Sequence, residues 1–157
     1  MKRDENLQPI SRQHKHDLMG CLLLKKGIAN KTDPGILKDF TLYYWNNELG
    51  PHLQTEERHL LPFLSSRRYN EKQINMIRND HELIRIIIER IEQDGNTYKL
   101  YEILSDVVVQ HTRYEERIVF NRMQETFDEM ELSQVGRNFV NGAICVCQNY
   151  PVKFWEQ

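Results

Sequence analysis

Cysteine is scarce in this chain. Only Cys21, Cys145 and Cys147 occur, an odd count with no spaced framework. That excludes a disulfide-stapled scaffold and fits a reducing compartment. Each is read first as a small buried apolar residue. Cys145-Val-Cys147 as a metal or redox pair is a weak signal, because nothing rich in Cys or His lies nearby in sequence. No apolar run approaches the roughly 20 residues that a membrane span needs. The start, Met1-Lys-Arg-Asp-Glu-Asn-Leu-Gln-Pro9, has no apolar stretch of signal-peptide type behind it. The expectation is a cytoplasmic protein without a membrane partner. Charge of one sign is also missing: the formal net charge is −2, so there is no electrostatic footprint for nucleic acid. No internal repeat or low-complexity tract is present.

What remains is a chain of 157 residues, 39% hydrophobic and 28% charged, which is one soluble, globular domain's worth. The five prolines and seven glycines fall mostly where segments should end, which leaves room for long helices. The first is expected from about Ile10 to Ile28, with Ser11 as N-cap and Gly27 and Asn30 as stop signals. The second follows Thr32-Asp33-Pro34 and runs to about Leu64, with a kink or local break at Gly50-Pro51. The third spans about Asn70 to Ile91 and the fourth about Thr97 to Thr126. A shorter fifth, about Leu132 to Val146, precedes a tail ending Phe154-Trp155.

Ile74, Ile77, His81, Ile84, Ile88 and Ile91 recur at steps of three and four, which places them on one helical stripe. Leu100, Leu104, Val107, His111, Glu115 and Ile118 do the same. Four such helices with short connections predict an all-α, up-down-up-down four-helix bundle with a short extra C-terminal helix.

The polar residues on the apolar stripes carry the chemistry. His111 and Glu115 stand at i and i+4, on one face of a helix, and His52 and Glu56 repeat the pair. His81 sits mid-stripe on the third helix and His14 near the start of the first. One inward His-x-x-x-Glu pair is a weak signal, since such pairs often decorate solvated faces, and a lone core histidine is usually a packing residue. Two pairs on separate helices plus single histidines on the other two form a much stronger one. Buried glutamates left charged and unpaired are costly, and metal ions supply the partner. Imidazole with carboxylate suits iron or manganese, with zinc less exclusive. Four nitrogens and two carboxylates exceed the needs of one tetrahedral ion and suit two, with the glutamates bridging and a solvent-derived oxygen between. A polar-cored bundle with hydrogen-bonded histidines is the bland alternative.

Neighbouring residues are less clear. His16, about 200° round the helix from His14, is expected at the surface or behind the ligands. His59 shares a face with His52 and Glu56, as a seventh ligand, a supporting donor or a packing residue. Glu57 and Glu116 are expected to be solvated or paired with arginines such as Arg58 and Arg117, with Glu57 entering the shell if the helix bends at Pro51. Tyr43, Tyr44 and Tyr114 are candidate neighbours of the centre, and Met19, Met76 and Met123 candidate packing that walls it from water.

These motifs resemble the bacterial hemerythrin family. Ile10-Ser-Arg-Gln-His14-Lys-His16 is similar to the family's opening stretch. Pro51-His52-Leu-Gln-Thr-Glu56-Glu57, followed by Leu60-Leu61-Pro62, resembles its second-helix motif. His111-Thr-Arg-Tyr-Glu115-Glu116-Arg117, followed by Phe120, resembles its fourth-helix motif. The resemblance covers roughly Ile10 to Met123. It implies that 1–157 is a single hemerythrin-like domain, with a core bundle at about 10–126 and a C-terminal helix and tail at about 131–157. It implies that His14, His52, Glu56, His81, His111 and Glu115 bind a non-haem, oxo- or hydroxo-bridged di-iron centre. Respiratory hemerythrins place a further histidine one turn from the third-helix ligand, where this chain has Ile77 and Arg85. Its fourth-helix pair is His-x-x-x-Glu rather than His-x-x-x-x-Asp. The set is richer in carboxylate and poorer in histidine, which points away from reversible oxygen carriage.

The expected function is to react with or sense O2, NO or peroxide, or to handle iron. The alternatives are a di-iron enzyme of peroxidase or NO reductase type, and a metal-free helical interaction bundle. No organic-substrate motif supports an enzyme name. The expected partner is a small diatomic ligand or peroxide; a homodimer or a further protein partner stays open.

Overall fold

Asp33, followed by Pro34 in the first turn, accepts a hydrogen bond from Gly35 N at 2.8 Å, and Asn70 caps the next long helix through Gln73 N. These caps satisfy donors that a helix start leaves free. In the computed structural model, which describes residues 1–139 and 145–157, they open two of five helices. We label these α1 (Gln8–Ala29), α2 (34–66), α3 (Glu71–Gln93), α4 (98–126) and α5 (Glu129–Gly136). Two short 3₁₀ turns, Val146–Asn149 and Phe154–Glu156, follow, and no strand occurs among the described residues.

Several limits differ from the expectation. Ser11 is not an N-cap: α1 starts three residues earlier with Pro9 in its first turn, and the Ser11 hydroxyl donates instead to Glu116 Oε2 at 2.9 Å. The fifth helix starts and ends earlier than expected, because Asp128 and Glu131 form a reciprocal capping box. Residues 140–144 of that expected helix lie outside the described residues, and Val146 opens a 3₁₀ turn.

Gly50-Pro51 does not break α2. A π-turn at Trp45–Leu49 stands directly before Pro51, closed by Gly50 N to Trp45 O. Two more occur at Glu56–Leu60 and Glu115–Val119, closed by Leu61 N to Glu56 O and Phe120 N to Glu115 O. A π-turn adds one residue to the helical repeat, so faces before and after it are out of phase.

The short connections at 30–33, 67–70 and 94–97 make neighbours antiparallel. Helix α1 packs on α2 and α4, and α3 packs on the same two, which closes the up-down-up-down ring. The apolar interior falls into two parts. One holds Leu24, Phe40, Tyr44, Ile84, Ile88 and Leu104, and Phe154 of the tail plugs it. The other holds Ile10, Leu60, Leu64, Ile77, Phe120 and Met123, capped by Leu132 and Val135 of α5. Between them lies a layer of buried histidine and glutamate. No helix among the described residues is long and apolar enough to cross a membrane.

Candidate metal centre

The α3 stripe falls inward along its whole length, and His81 sits in it at 1% exposure. On α4 the stripe holds at Leu104, His111 and Glu115, while Leu100 and Val107 are only partly buried and Tyr101 and Val108 turn inward beside them. Within the π-turn Val119 is buried, while Ile118, expected on the stripe, is exposed. The same slip on α2 turns His59 to solvent, so it is neither ligand, supporting donor nor packing residue. His14, His52, Glu56, His111 and Glu115 are all buried, at 4% exposure or less.

These six side chains meet in the middle of the bundle. The His14 and His52 ring centres lie 4.9 Å apart, and so do those of His81 and His111. His52 Nε2 lies 2.5 Å from Glu56 Oε1, and His111 Nε2 makes the equivalent close contact with Glu115 Oε1. His14 Nε2 is 3.9 Å from Glu56 Oε1 and 3.6 Å from Glu115 Oε2, and His81 Nε2 is 3.9 Å from Glu56 Oε2. Two groupings with metal-ligand spacing result: His14, His52 and Glu56, and His81, His111, Glu56 and Glu115. Glu56 belongs to both.

The atoms facing the middle of this layer are orphans. Nε2 of all four histidines and both oxygens of Glu56 and Glu115 are buried without a hydrogen-bond partner. Native interiors rarely tolerate that unless an ion or a water completes the set. The electrostatics ask for positive charge. Burial opposes the imidazolium of His14, but Glu115, Glu116 and Glu56 outweigh it and raise its pKa well above the usual range. Burial likewise opposes a charged His111, and Glu115 and Asp80 raise it to about 10. Glu56 is pushed up by burial and pulled down further by His52 and His14, so it stays ionised. Without a cation, protons on the imidazoles must balance the glutamates; a metal ion does so without them. The donor set therefore fits a pair of cations of the iron or manganese class.

The outer ring nitrogens are held separately. His81 Nδ1 lies 2.8 Å from Glu57 Oε2, and Arg85 grips both Glu57 oxygens, at 2.6 and 2.8 Å. His111 Nδ1 is 3.2 Å from Asp80 Oδ2, and His52 Nδ1 contacts Gln13 Oε1. His14 Nδ1 is 3.6 Å from Glu116 Oε2, a carboxylate that also takes Ser11 and Arg3. Such partners fix the ring so that Nε2 points inward. Glu57 and Glu116 thus pair with Arg85 and Arg3, not with Arg58 and Arg117. Glu57 stays behind His81 and does not enter the layer of inward-facing ligands.

His16 is partly exposed on the flank, 3.4 Å from Glu48 Oε1. Tyr44 is buried and donates to the Asp17 carbonyl at 2.7 Å, Tyr43 donates to the Val146 carbonyl at 3.2 Å, and Tyr114 packs on the second apolar cluster. Met123 is core and Met19 partly buried, but Met76 is 47% exposed and walls nothing. Asp17 was missed. It is buried, its Oδ2 lies 3.8 Å from His52 Nε2, and burial raises its pKa to about 6 against the pull of His52 and His14. Its signal was its place at i+3 from His14, on the inward face of α1.

The family model of the hemerythrin HHE cation binding domain matches residues 8–123. No curated protein and no solved structure matches the chain.

Proposed function

Because the chain belongs to the hemerythrin HHE cation-binding domain family, we propose that it holds two iron ions and uses them to react with or sense O2, NO or peroxide. His14 and His52 would serve one ion and His81 and His111 the other, with Glu56 and Glu115 shared. The observation that carries this reading is the set of buried, inward-facing nitrogens and oxygens with no partner, grouped in two clusters that share Glu56. A metal-free interaction bundle would have to hold this layer together by protonated imidazoles alone, and each group left unpaired would cost about 1–3 kcal/mol. We take 1–157 to act as one unit, bundle and tail together.

Bound iron in the ferrous state would supply the electrons for reaction with such small oxidants. The chain supplies the rest. Phe120 stacks on the His14 ring with centres 5.5 Å apart, and apolar clusters on both sides keep bulk water away. Glu57, Asp80 and Gln13 hold protons or lone pairs at the outer nitrogens of His81, His111 and His52 and keep those rings aimed inward. Ile77 and Arg85 stand one turn either side of His81, where respiratory carriers place a further histidine, and the Arg85 fork is engaged by Glu57. The set therefore keeps four histidines and two carboxylates, and anionic donors favour the ferric state. That suits a sensor, scavenger or iron-handling protein better than a reversible carrier.

Elemental analysis of iron-reconstituted protein tests the centre. Two irons per chain are expected, and one or none would overturn the reading. Glu56→Ala and Glu115→Ala should each lose magnetic coupling between the irons while the helices persist. Stopped-flow mixing of the reduced protein with O2 tests the use: irreversible oxidation is expected, whereas oxygen released intact under vacuum would restore the carrier reading.

A further inference from the structure

The C-terminal tail returns to the bundle at a place built from none of the six residues of the centre. Cys147 Sγ lies 2.7 Å from Glu48 Oε2, and Cys145 Sγ lies 3.9 Å from the same oxygen. One ligand atom from each of the three residues falls within 4.8 Å of the other two. Both cysteines are free thiols, Cys147 buried and Cys145 partly exposed. The second Glu48 oxygen faces His16 Nδ1 at 3.4 Å. We propose that Glu48, Cys145 and Cys147 bind one thiophilic divalent cation of the zinc class, with His16 orienting the Glu48 carboxylate.

The chemistry of the trio selects the ligand. Two thiols and a carboxylate are all acidic groups, and drawn together in a half-buried place they repel once ionised. Hydrogen bonding from Cys147 pulls the Cys145 thiol down, while Cys145, burial and Glu48 push Cys147 up. A divalent cation displaces both thiol protons to solvent and turns the repulsion into attraction. Sulfur donors favour zinc over magnesium, calcium or manganese, and the carboxylate is a common third zinc ligand. Three protein ligands leave a fourth position for water.

The geometry needs little change. Ligand atoms of a tetrahedral zinc shell stand roughly 3.5 Å apart. The Cys145–Glu48 pair is near that already, and the Cys147–Glu48 pair must open by somewhat under about 1 Å. The tail is anchored close by: Tyr43 Oη donates to the Val146 carbonyl between the two cysteines, and Phe154 is buried in the core. An ion here would tie the tail to α2, with His16 of α1 alongside.

Cobalt(II) is the probe, because only sulfur ligation gives a thiolate-to-cobalt charge-transfer band and the histidine–glutamate centre has no sulfur. The iron-loaded full-length protein, thiols reduced, is titrated with Co²⁺. The expected result is a near-ultraviolet band that saturates at one equivalent and is abolished by stoichiometric Zn²⁺. The doubly substituted Cys145→Ser/Cys147→Ser protein should lose the band and keep its iron. Glu48→Gln should weaken Co²⁺ binding about tenfold or more. No band in the wild-type protein, or an unchanged titration in Glu48→Gln, would overturn the proposal. So would a Cys145–Cys147 disulfide that forms as readily with Zn²⁺ present as without it. Alkylation of the two thiols, slowed by Zn²⁺ if the site exists, gives the second readout should the double variant fail to fold. None of these readouts depends on the number of irons bound.

Discussion

Glu57 stands directly behind His81: its Oε2 lies 2.8 Å from Nδ1, and Arg85 holds both of its oxygens from the next turn of α3. The arginine and the histidine beside it keep the Glu57 carboxyl near 2, against the effect of burial. A fully ionised carboxylate makes the imidazole a stronger base at Nε2, the atom that faces the centre. Replacing Glu57 by Gln keeps the shape and removes the charge. Iron affinity, measured by competition with a chelator, should fall about 10–100-fold with helix content unchanged. Arg85→Ala should give a smaller loss in the same direction. Unchanged affinity in Glu57→Gln would mean that the pair only fills space.

Removing the metal should lower stability without unfolding the bundle. A ligand bound only by the native state adds about 2.7 kcal/mol at a free concentration of 100 Kd. For a chain of this size that corresponds to a Tm about 5–10 °C higher with iron than without. The two apolar clusters should hold the metal-free helices together. Calorimetry of both forms checks this, and equal Tm values would contradict it.

Gly20 of α1 faces the Tyr44 ring of α2 at close range. A Cβ there would lie 2.4–2.7 Å from three ring carbons. The ring cannot swing away easily: Tyr44 is buried, its hydroxyl donates to the Asp17 carbonyl, and Phe40 stacks on it. Gly20→Ala should therefore destabilise by about 1–3 kcal/mol, although alanine is the better helix former. Denaturant unfolding measures it, and a neutral or stabilised variant would show that the helices can slide apart.

Alkali should act on Tyr101. Burial, helped by Asp39 and Asp94, pushes this phenol up to about 12, and its hydroxyl donates to the carbonyls of Gly95 and Pro34. The fold favours the protonated form over an unfolded phenol near 10. The unfolded chain thus loses its proton first, and stability is complete below pH 10 and lost as pH rises to about 12. The loss from this group is on the order of 2 kcal/mol. Denaturant midpoints between pH 9 and 12 should fall less in Tyr101→Phe than in the wild type, although the variant is weaker at neutral pH. Parallel curves would assign the alkaline loss elsewhere.

The helices were legible in the sequence wherever a stripe ran at a constant period. His81 lies on a stripe whose isoleucines, Ile74, Ile77, Ile84, Ile88 and Ile91, are all buried, and the caps Asp33 and Asn70 sit where the residue types imply. The convergence of the six polar residues was legible for a related reason: each His-x-x-x-Glu pair ends on the glutamate that opens its π-turn, so the step from histidine to glutamate is still an α-helical turn. His59 and Ile118 lie inside those turns, and counting three or four residues through them gave the wrong face. Nothing local in Glu56–Leu60 or Glu115–Val119 announces an i to i+5 bond. The partners of Glu57 and Glu116 were illegible because Arg85 and Arg3 arrive from other helices or from the N-terminal segment, and an arginine next in sequence is no guide to one next in space. Ser11 misled because the hydroxyl that resembles a cap is used by a glutamate on α4. The contact of Glu48 with both cysteines, across almost a hundred residues, has no sequence signature at all.

The buried polar layer divides evenly between the two halves of the chain. The hairpin of α1 and α2 carries His14, His52 and Glu56, while that of α3 and α4 carries His81, His111 and Glu115. Neither hairpin holds enough donors for a pair of cations, and each alone would expose uncompensated charge at its midpoint. Only docking of one hairpin on the other assembles the set, across the short joint at 67–70. The metal therefore reports on a partnership within the molecule. Severed at that joint, the two pieces would be complementary fragments whose reassembly a metal cation should strengthen.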